Sequence, residues 1–580
     1  MKIMEVQTID KKQKAKKTEF VSGAEAVVKI LLQEQIDVVF GYPGGAIMPV
    51  YDALYDEQDR IHHVLARHEQ GAIHAAQGLA RVTGKPGVCF ATSGPGATNL
   101  ITGIADAQID STPLVCITGQ VPSSLLGSDA FQETDIIGIS MPVTKWNYQV
   151  TDAKEIPAAL AKAFYIARSG RPGPVLIDIT KDAQFEKFDF AYEPCEKVRS
   201  YLPEPKVEIS NIDKAAEAIN NAKRPYILFG QGVILANAEE EFKTLVEKTG
   251  IPAAWTILGL SALETDHPLN VGMLGMHGNY GPNLLTNECD VLIAIGMRFD
   301  DRVTGNLDKY AKQATVIHFE IDPSEINKNV KADIPVLGNA KVTLKHLIEK
   351  VKPNSHVEWL QRFHDCAKIE DEKVINEELN PSSEIISMGE VINVINKHTN
   401  GDAIIVTDVG QHQMVACRYA KFAKSKSNIT SGGLGTMGFG LPAAIGAQLG
   451  APDRTVIAVI GDGGFQMTIQ ELATIYQTKA KVKVLLLNNE FLGMVRQWQQ
   501  LFFDKRYSST EMINPDFQTI VKGYYIPTEK VTQREEIDSA IKRFLEHDGA
   551  YFLEVMVGKE NNVFPMVPSG AGVSEIRLES

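Results

Sequence analysis

The chain has 580 residues and a formal net charge of −14 at pH 7, with 44% hydrophobic and 22% charged residues. At roughly 100–200 residues per domain, this length predicts about three to five domains that each bury a core. The acidic balance argues against a broad nucleic-acid-binding face, because such a face must neutralise backbone phosphates with lysine and arginine.

The cysteines and the N-terminus bear on the compartment. Six cysteines are scattered without a Cys-x-x-Cys pair, and several lie in apolar runs, which predicts buried thiols in a reducing compartment. Residues 1–19 form an N-terminal extension whose lysines precede no apolar segment, and no apolar run is long enough to span a bilayer. We therefore expect a cytoplasmic protein with no membrane partner. A short organelle-targeting role stays open, although Glu5 and Asp10 weaken it.

Apolar, strand-like runs alternate with helical stretches along the chain. This alternation is typical of parallel sheets covered by helices on both faces, so the predicted fold class is α/β with doubly wound parallel sheets. The pattern divides into three domains, at residues 20–190, 205–350 and 385–580. Residues 185–210, rich in charge and proline, and residues 352–384, charged and helical, are predicted connectors. The runs that predict strands are 38–40, 88–91, 113–117, 175–179, 226–229, 291–295, 316–319, 403–406, 456–460 and 482–487.

The first candidate functional residue in chain order is Glu69, which follows the apolar run 64–66 at the predicted start of a helix. A glutamate in the first helical turn is commonly a solvated charge that the helix dipole stabilises, and this alternative stays open on the residues alone. Downstream, residues 93–99 form a glycine-rich loop between a strand and a helix, a shape that lets backbone approach a ligand. Alone, such a loop is weak support for a binding site.

In the third predicted domain, Gly461, Asp462 and Gly463 follow one strand, and Asn489 closes the next strand 27 residues after Asp462. Such residues meet at the carboxyl edge of a parallel sheet, where these sheets bind ligands. A carboxylate and an amide oxygen suit a magnesium ion that also holds phosphate oxygens, and glycines let a diphosphate approach the backbone. The alternative is two ordinary turns, because Asn, Asp and Gly dominate turns. Their pairing at neighbouring strand ends favours binding.

This spacing resembles the thiamine-diphosphate-binding motif. From about residue 20 to the C-terminus, the chain resembles the large catalytic subunits of the acetohydroxyacid (acetolactate) synthases, in their biosynthetic, FAD-containing branch. The resemblance implies thiamine diphosphate, Mg²⁺ and FAD as cofactors. It implies that Asp462 and Asn489 bind Mg²⁺ and that Glu69 holds a proton at N1′ of the aminopyrimidine ring. The further thiamine-diphosphate contacts that it implies are Val409, Gln411, His412, Gly435, Met437, Gly461 and Gly463.

Without the resemblance, His412 would be interpreted as a surface or hydrogen-bonded histidine and Met437 as core packing. Three features then indicate the branch. Phe131 and Gln132 stand where pyruvate decarboxylases carry adjacent histidines, and Glu69 stands where glyoxylate carboligase has an apolar residue. The charged run 298–302 would alone be a solvated turn, but in the flavin-containing synthases it lies beside FAD. The FAD contacts implied by the resemblance are Arg171, Gly275, Met276, His277, Gly278, Arg298 and Asp322.

The resemblance also assigns substrate contacts. Arg298 binds the carboxylate of the second 2-keto acid, to which a guanidinium fork is suited. Lys181 lies near the entrance to the site, and Trp498 favours 2-ketobutyrate as second substrate. On the residues alone, Trp498 would be hydrophobic packing. The implied catalytic set is Glu69, Phe131, Gln132, Lys181, Arg298 and Trp498.

The implied activity is decarboxylation of pyruvate, followed by joining of the remaining two carbons to a second pyruvate or to 2-ketobutyrate. The products, 2-acetolactate and 2-aceto-2-hydroxybutyrate, are precursors of valine, leucine and isoleucine. The resemblance further implies a homodimer or tetramer, with Glu69 of one subunit opposite the magnesium site of another, and a regulatory small subunit. Two alternatives stay open. One is a pyruvate oxidase with a redox-active flavin, and the other is an inactive relative, which would need a broken Glu69 or magnesium motif.

Overall fold

The structure, a computed structural model, describes residues 19–579. Within that range three six-stranded parallel sheets follow one another along the chain, and a two-stranded ribbon accompanies the first. The predicted α/β fold class is therefore confirmed. The predicted N-terminal extension lies outside the described residues, except for Glu19. The domain limits stay predictions, and we call the three sheets with their helices the first, central and third domains.

The first domain forms because its middle strands are continuous apolar runs that helices cover on both faces. Its elements are β1 (Glu19–Ser22), α1 (Gly23–Gln33), β2 (Val38–Gly41), α2 (Met48–Tyr55), β3 (His62–Leu65), α3 (Glu69–Thr83), β4 (Gly87–Ala91), α4 (Pro95–Asn99), α5 (Ile101–Ile109), β5 (Leu114–Gln120), α6 (Ile136–Ser140), β6 (Trp146–Val150), α7 (Ile156–Arg168), β7 (Pro174–Thr180), α8 (Lys181–Phe185) and β8 (Lys187–Phe190). The strand order in the sheet is β3-β2-β4-β5-β7-β6.

The predicted connector at residues 185–210 is wrong for its first part. Residues Lys187–Phe190 form β8, which pairs antiparallel with β1 so that Phe20 lies opposite Asp189. Phe188 and Phe190 are buried in the first-domain core, so the four residues alternate between core and solvent. The alternation is a strand signal, but it is short and its partner strand lies at the other end of the domain. Residues 191–208 carry no helix or strand.

The central domain and the connector after it have these elements: α9 (Ile209–Asn221), β9 (Pro225–Phe229), α10 (Gln231–Leu235), α11 (Glu239–Thr249), β10 (Ala253–Trp255), β11 (Asn270–Met273), α12 (Tyr280–Thr286), β12 (Val291–Ile295), α13 (Asp301–Thr304), β13 (Thr315–Glu320), β14 (Ile334–Leu337), α14 (Ala340–Lys350), α15 (Val357–Glu370) and α16 (Asn376–Leu379). The strand order is β11-β10-β9-β12-β13-β14. The connector is helical, because α15 continues into α16 through a π-helical turn at Asp371–Ile375.

The third domain comprises α17 (Met388–Thr399), β15 (Ile404–Thr407), α18 (Gln411–Tyr419), β16 (Asn428–Thr430), α19 (Gly440–Gly450), β17 (Val456–Gly461), α20 (Asp462–Met467), α21 (Leu472–Thr478), β18 (Lys483–Asn488), α22 (Gly493–Phe502), α23 (Phe517–Gly523), β19 (Thr528–Val531), α24 (Ile537–Glu546) and β20 (Tyr551–Met556). The strand order is β16-β15-β17-β18-β20-β19. Because β15, β17 and β18 are parallel neighbours, their carboxyl ends open at the same edge of the sheet.

The six cysteines, all of which lie in the described range, are free thiols, and every one except the half-buried Cys195 is buried. Among residues 19–579 no helix has both the length and the apolar character that crossing a membrane requires.

Helices α3 and α19 pack against each other and join the first domain to the third. Their backbones approach so closely that only glycine fits at the crossing. A Cβ atom on Gly78 would lie 1.9 Å from the carbonyl oxygen of Ala443, and one on Gly446 would lie 1.7 Å from that of Ala75. Because α3 begins at Glu69, this crossing fixes where that carboxylate stands relative to the third domain.

We expect Gly446→Ala to lower the free energy of unfolding by about 1–3 kcal/mol, because the added methyl group must push α3 and α19 apart. Denaturant unfolding of the purified chain would measure this loss. The matched control is Gly523→Ala, since Gly523 lies in α23 and a Cβ atom there meets no atom within 4 Å. If both variants unfold at the same denaturant concentration, the close crossing is not a constraint on stability.

Candidate active site

The carboxyl edge of the third sheet gathers polar side chains from separate loops. Asp462 follows β17 and Asn489 follows β18. The Asn514 amide nitrogen joins this edge by donating to Asp462 Oδ2 (2.7 Å) and to Asn488 Oδ1 (3.1 Å). Burial raises the pKa of Asp462 to about 6, against the smaller lowering effect of its hydrogen bonds. Asp462 and Asn489 are hard oxygen donors that suit a divalent cation.

A metal at this edge needs ligands beyond acidic side chains. In the described part of the chain, no group of three His, Cys, Asp or Glu side chains could hold a metal ion by itself. A carboxylate and an amide oxygen leave most coordination positions to waters and to the oxygens of a bound ligand. This is the arrangement that Mg²⁺ prefers when it binds phosphate groups.

The N-terminus of α18 lies beside this edge. The Gln411 side chain donates to Gln497 Oε1 (3.0 Å) and to the Asn561 carbonyl (2.8 Å), and its oxygen accepts from Asn489 (3.3 Å). His412 is buried, and burial lowers its pKa to about 4, so the ring is neutral at pH 7. Its Nε2 atom has no hydrogen-bond partner among residues 19–579. A buried, neutral ring nitrogen of this kind can serve a bound ligand.

Glycines bring the backbone close to that histidine. A Cβ atom on Gly461 would lie 2.7 Å from His412 Nδ1, and one on Gly463 would lie 3.4 Å from the terminal methyl carbon of Met437. Larger residues would therefore fill the space between the strand end and these two side chains. The structure brings together the predicted residues Gln411, His412, Met437, Gly461, Asp462, Gly463 and Asn489 around one sheet edge.

Asp408, directly after β15, connects two of these loops. Its Oδ1 accepts hydrogen bonds from the amides of Val409 (2.8 Å) and Gly438 (3.0 Å), and its Oδ2 accepts from Gly440 (2.8 Å). It is fully buried, and burial raises its pKa to about 6. Three backbone donors thus converge on one carboxyl group, which holds the loop after β15 against the loop that begins α19.

A cleft of about 720 Å³ opens between the central and third domains, with first-domain residues at one side. Ligand pockets commonly have volumes of roughly 300–1,000 Å³, so this cleft has the size of a ligand-binding site. The predicted residues that line it are Arg171, Met276, His277, Arg298, Val409, Gly435, Met437 and Trp498. Among the other predicted residues, Gly275 and Gly278 flank the lining pair at 276–277, and Asp322 lies behind Arg171.

The charges of the cleft are unequally paired. Arg171 donates to Asp322 (3.1 Å), Glu325 (2.9 Å) and Ser111 (2.9 Å), so its charge is already matched. Arg298 lies 4.0 Å from Asp300, too far for a hydrogen bond, so its charge is less fully paired than that of Arg171. Burial raises the pKa of Asp300. This pairing leaves Arg298 the freer of the two to bind an anionic ligand.

His277 is a neutral group in the same wall. Burial, followed by the neighbouring charges of Arg418 and Arg302, lowers the pKa of its ring to about 3. Its Nδ1 atom has no partner among the described residues. The loop that carries His277 is held from behind, because Asn283 both accepts from the Gly275 amide (3.0 Å) and donates to the Gly275 carbonyl (2.9 Å).

Glu69 belongs to a separate group in the first domain. It is 8% exposed and accepts a hydrogen bond from Asn99 (2.9 Å), and a Cβ atom on Gly96 would lie 3.3 Å from its Oε1. Gln132 packs against the same glycine-rich loop at Gly94, while its neighbour Phe131 is 89% exposed. The described residues that line the cleft do not include Glu69, Phe131, Gln132 or Lys181, which is partly exposed at the start of α8.

Sequence reasoning missed several residues of the site. Asp408 and Glu320 are acidic residues at the carboxyl ends of β15 and β13, so the signal that identified Asp462 was available for both. Glu320 lines the cleft, and burial raises its pKa to about 7. Asn514 carries no local signal, because the loop that holds it against Asp462 is irregular.

Three stretches match known family descriptions. Residues 21–139 match the thiamine pyrophosphate enzyme N-terminal TPP binding domain, residues 212–347 the central domain, and residues 408–555 the C-terminal TPP binding domain. Fold and site therefore define an enzyme of the thiamine-diphosphate class.

Individual relatives are more specific. The chain is 45% identical over 577 residues to the acetolactate synthase large subunit of Corynebacterium glutamicum. The aligned region covers 98% of this chain and 92% of that protein. It is 45% identical over 557 residues to the acetolactate synthase isozyme 2 large subunit of Escherichia coli K12, covering 96% and 99%. The probable acetolactate synthase large subunit of Methanocaldococcus jannaschii is 44% identical over 567 residues, covering 96% and 95%. The chain belongs to the acetolactate synthase large-subunit family.

We expect Asp408→Ala to lower the free energy of unfolding by at least about 2 kcal/mol, because it leaves three backbone donors, two of them buried, without an acceptor. Asp408→Asn should be milder, since its one oxygen can still serve Val409 and Gly438. Denaturant unfolding, with hydrogen exchange at residues 438–440, measures both effects. The control is Asp402→Ala, whose carboxylate is 59% exposed. Unchanged exchange at residues 438–440 in Asp408→Ala would show that Asp408 does not hold this loop.

Proposed function

We propose that this chain catalyses the acetolactate synthase reaction through the site described above. Pyruvate is decarboxylated, and the remaining two-carbon unit is joined to a second pyruvate or to 2-ketobutyrate. The products are 2-acetolactate and 2-aceto-2-hydroxybutyrate, precursors of valine, leucine and isoleucine. The observation that carries the proposal is 45% identity over 98% of the chain to a relative of this name, with Glu69, Asp462 and Asn489 all present at helix and strand ends.

Thiamine diphosphate, when bound, supplies a sink for the electrons that remain as carbon dioxide departs. In our proposal Glu69 holds the proton at N1′ of the aminopyrimidine ring. Support comes from its burial, since a hydrogen bond to a carboxyl group is strong where water is excluded. Asn99 fixes the carboxylate through Oε2, so that Oε1 remains on the side of Gly96.

Asp462 and Asn489 bind Mg²⁺ in this proposal, together with diphosphate oxygens. The donor set fits, because Asp462 is a buried carboxylate with no cation beside it among residues 19–579, and a divalent ion would offset the cost of burying its charge. Gln411 and His412 contact the diphosphate from the N-terminus of α18, Gln411 through its backbone amide because its side-chain NH₂ group already donates to Gln497 and Asn561. In the neutral tautomer that carries its proton on Nε2, His412 would donate from this partnerless atom to a phosphate oxygen.

The remaining thiamine-diphosphate contacts are proposed by position. Gly461 and Gly463 let the diphosphate approach the backbone, since a side chain there would fill the space near His412 and Met437. Val409, Gly435 and Met437 line the cleft from the loops that Asp408 connects. Met437 would support the bound cofactor with its side chain.

FAD occupies the cleft between the central and third domains in our proposal. The volume of the cleft suits a large cofactor. The contacts would be the predicted set of Arg171, Gly275, Met276, His277, Gly278, Arg298 and Asp322. The unpartnered Nδ1 of His277 offers a further polar contact. The overall reaction oxidises nothing, so the flavin is not needed to balance electrons.

The second 2-keto acid binds in the same cleft. Arg298 pairs with its carboxylate, because its charge is less committed than that of Arg171. Trp498 lines the cleft and packs against Phe502, with ring centroids 5.0 Å apart. Contact with the additional CH₂ of 2-ketobutyrate is worth about 0.8 kcal/mol if that group is fully buried, which favours this substrate over pyruvate.

A second copy of the chain completes the site in this proposal, giving a homodimer or a tetramer. Support comes from Glu69, which stands outside the cleft lining, and from Phe131, a large apolar side chain that is 89% exposed and neighbours Gln132, which packs on the same glycine-rich loop as Glu69. Gln132 and Lys181 then approach the substrate from that copy. The relatives are named large subunits, so we also propose a regulatory small subunit. Mg²⁺, FAD and a reducing cytoplasm complete the proposal.

The first test is an anaerobic assay of the purified chain with thiamine diphosphate, Mg²⁺, FAD and pyruvate, without an electron acceptor. We expect acetolactate, measured as acetoin after acid decarboxylation. Glu69→Gln should reduce the rate by about 10²-fold or more while the chain stays folded, because proton positioning by a catalytic group contributes 10²–10⁴-fold. The control Glu25→Gln changes another first-turn glutamate of the first domain, and a glutamine there can still complete its capping box.

A different result would redirect the assignment. Acetate or acetyl phosphate that forms only after an electron acceptor is added would make the chain a pyruvate oxidase. Acetolactate formation by Glu69→Gln at the rate of the unmodified chain would contradict the role of Glu69.

The shared site predicts complementation. Glu69→Gln and Asp462→Ala chains are each expected to be nearly inactive, because each lacks one half of every site. An equal mixture that exchanges subunits should recover about one quarter of the unmodified activity, since half of the dimers are hybrids and each hybrid has one intact site. Activity measured after refolding the two variants together, against each refolded alone, checks this. No recovery, despite hybrid dimers detected by mass, would mean that Glu69 and Asp462 of the same chain act together.

A further inference from the structure

Five hydrogen bonds fasten the third-domain segment 430–436 to two carboxylates and one arginine of the first domain. Arg81, near the C-terminal end of α3, donates to the Thr430 carbonyl (2.6 Å). Asp110, which ends α5, accepts from the Gly432 amide (2.9 Å) and the Gly433 amide (2.7 Å). The last two bonds go to Asp106 Oδ1, from the Ser431 hydroxyl and from the Thr436 hydroxyl (2.8 Å).

The three charged side chains form a buried cluster, which we call the 81–106–110 cluster. The Arg81 side chain is 6% exposed, and those of Asp106 and Asp110 are not exposed at all. Arg81 Nη2 lies 2.9 Å from Asp110 and 4.0 Å from Asp106, so one cation faces two carboxylates. Its guanidinium carbon also lies 5.4 Å from the centroid of the Phe439 ring.

A buried ionic cluster is a costly way to hold two domains together. Replacing such groups with apolar residues of similar volume is often neutral or stabilising, whereas removing one partner is strongly destabilising. Charged groups do offer directed bonds to backbone amides, and here two of those amides are adjacent glycine N–H groups. The cluster therefore specifies a backbone conformation that apolar packing alone would not specify.

That conformation belongs to the cleft. Residues 431–435 and Met437 line it, and Gly435 has a positive φ of 70°. Asp408 fixes the far end of the same loop at Gly438 and Gly440. The stretch that would support thiamine diphosphate is thus anchored on one side by its own domain and on the other by the first domain.

We propose that Asp110 and Arg81 are positioning residues for thiamine diphosphate, which act by fixing segment 430–436 without touching the cofactor. This inference rests on the proposed function only in that thiamine diphosphate occupies the site next to Gly435 and Met437. Loss of the cluster lets the segment move, so the cofactor binds more weakly, while the bound cofactor keeps its chemistry.

The two carboxylates differ in what an isosteric amide would do. Both oxygens of Asp110 accept from donors, so an Asn there must turn its NH₂ group toward the amide of Gly432 or of Gly433. Asp106 uses only Oδ1, since its Oδ2 has no hydrogen-bond partner among the described residues. An Asn at position 106 can keep the oxygen that accepts from Ser431 and Thr436, and its NH₂ group then replaces Oδ2, which lies 4.0 Å from Arg81 Nη2 and accepts no hydrogen bond from the described residues. Asp110→Asn should therefore be the more severe change.

The experiment measures thiamine-diphosphate binding by calorimetry with Mg²⁺ present, and separately its half-saturating concentration in the acetolactate assay. We expect Asp110→Asn to raise both constants by about tenfold or more and Asp106→Asn by less than about threefold, where tenfold corresponds to about 1.4 kcal/mol. At saturating thiamine diphosphate, kcat and the KM for pyruvate should return close to the unmodified values. Arg81→Lys should lie between the unmodified chain and Arg81→Met, because lysine keeps the charge but lacks the fork.

The matched control is Glu34→Gln. The Glu34 side chain is 5% exposed and forms a first-domain ion pair with Arg168 (2.7 Å), which this change disrupts. It should lower thermal stability and leave the thiamine-diphosphate constants unchanged. If Asp110→Asn behaves in the same way, the cluster is only a structural contact and the proposal is overturned. If the unmodified chain binds thiamine diphosphate but makes no acetolactate, the proposed function fails, and the binding constants still decide the role of the cluster.

Discussion

β15, β17 and β18 are hydrogen-bonded neighbours that run in the same direction, so the residues after each strand emerge at one edge of the third sheet. That constraint places Asp408, Asp462 and Asn489 side by side from chain positions that are up to 81 residues apart. The strands themselves are apolar and buried, so the polar residues can stand only where the strands stop. Every contact of the proposed diphosphate and metal site depends on this edge.

Burying a carboxylate at a dry sheet edge costs desolvation free energy, and different groups offset this cost at each residue. Asp408 accepts hydrogen bonds from three backbone amides and so holds two loops together. Asp462 has hydrogen bonds from Asn514 and from backbone amides but no cationic partner in the described part of the chain, and burial raises its pKa to about 6. The residue whose charge the protein leaves uncompensated is the one that a bound divalent ion can compensate. The same comparison separates Arg171, which is paired twice, from Arg298 in the cleft.

The sequence predicts features whose cause is local. The strand ends at Asp462 and Asn489, the helix that begins at Glu69 and the glycine-rich loop at 93–99 each carry their signal within a few residues. The resemblance then selected residues such as Arg298 and Trp498, and the structure brings both into one cleft. Asp408 could have been identified in the same way, because it also follows an apolar strand.

Features that arise from domain packing could not be predicted. β8 lies where the predicted first domain and the predicted connector overlap, and its four residues become a strand only when β1 pairs with them. Asp110 bonds to amides more than 320 positions away, and nothing in the residues around either partner indicates the other. Asp106 and Asp110 are also four residues apart, a spacing that on an exposed helix would be ordinary surface charge. Only the packing of the first domain on the third makes them a buried cluster.

Helix α3 is the element through which these separate features constrain each other. Just before its first turn, the Arg67 amide donates to Glu471 of the third domain (3.0 Å). In its middle, Gly78 lets the backbone touch that of α19, and at its last turn Arg81 holds Thr430. Glu69 and Arg81 are twelve residues apart, about 18 Å along a helix that rises 1.5 Å per residue.

Helix α3 contacts the third domain at three points along this length, so Glu69 cannot move without the rest of the helix. In a dimer with shared sites, Glu69 would serve the cofactor bound by the other copy, while Arg81 on the same helix fixes the loop around the cofactor of its own copy. A displacement of α3 that moved one of them would therefore move the other. The same helix would then set the geometry of both sites. The buried charges at its end would be needed to position the helix against segment 430–436, because apolar packing could supply stability but not this alignment.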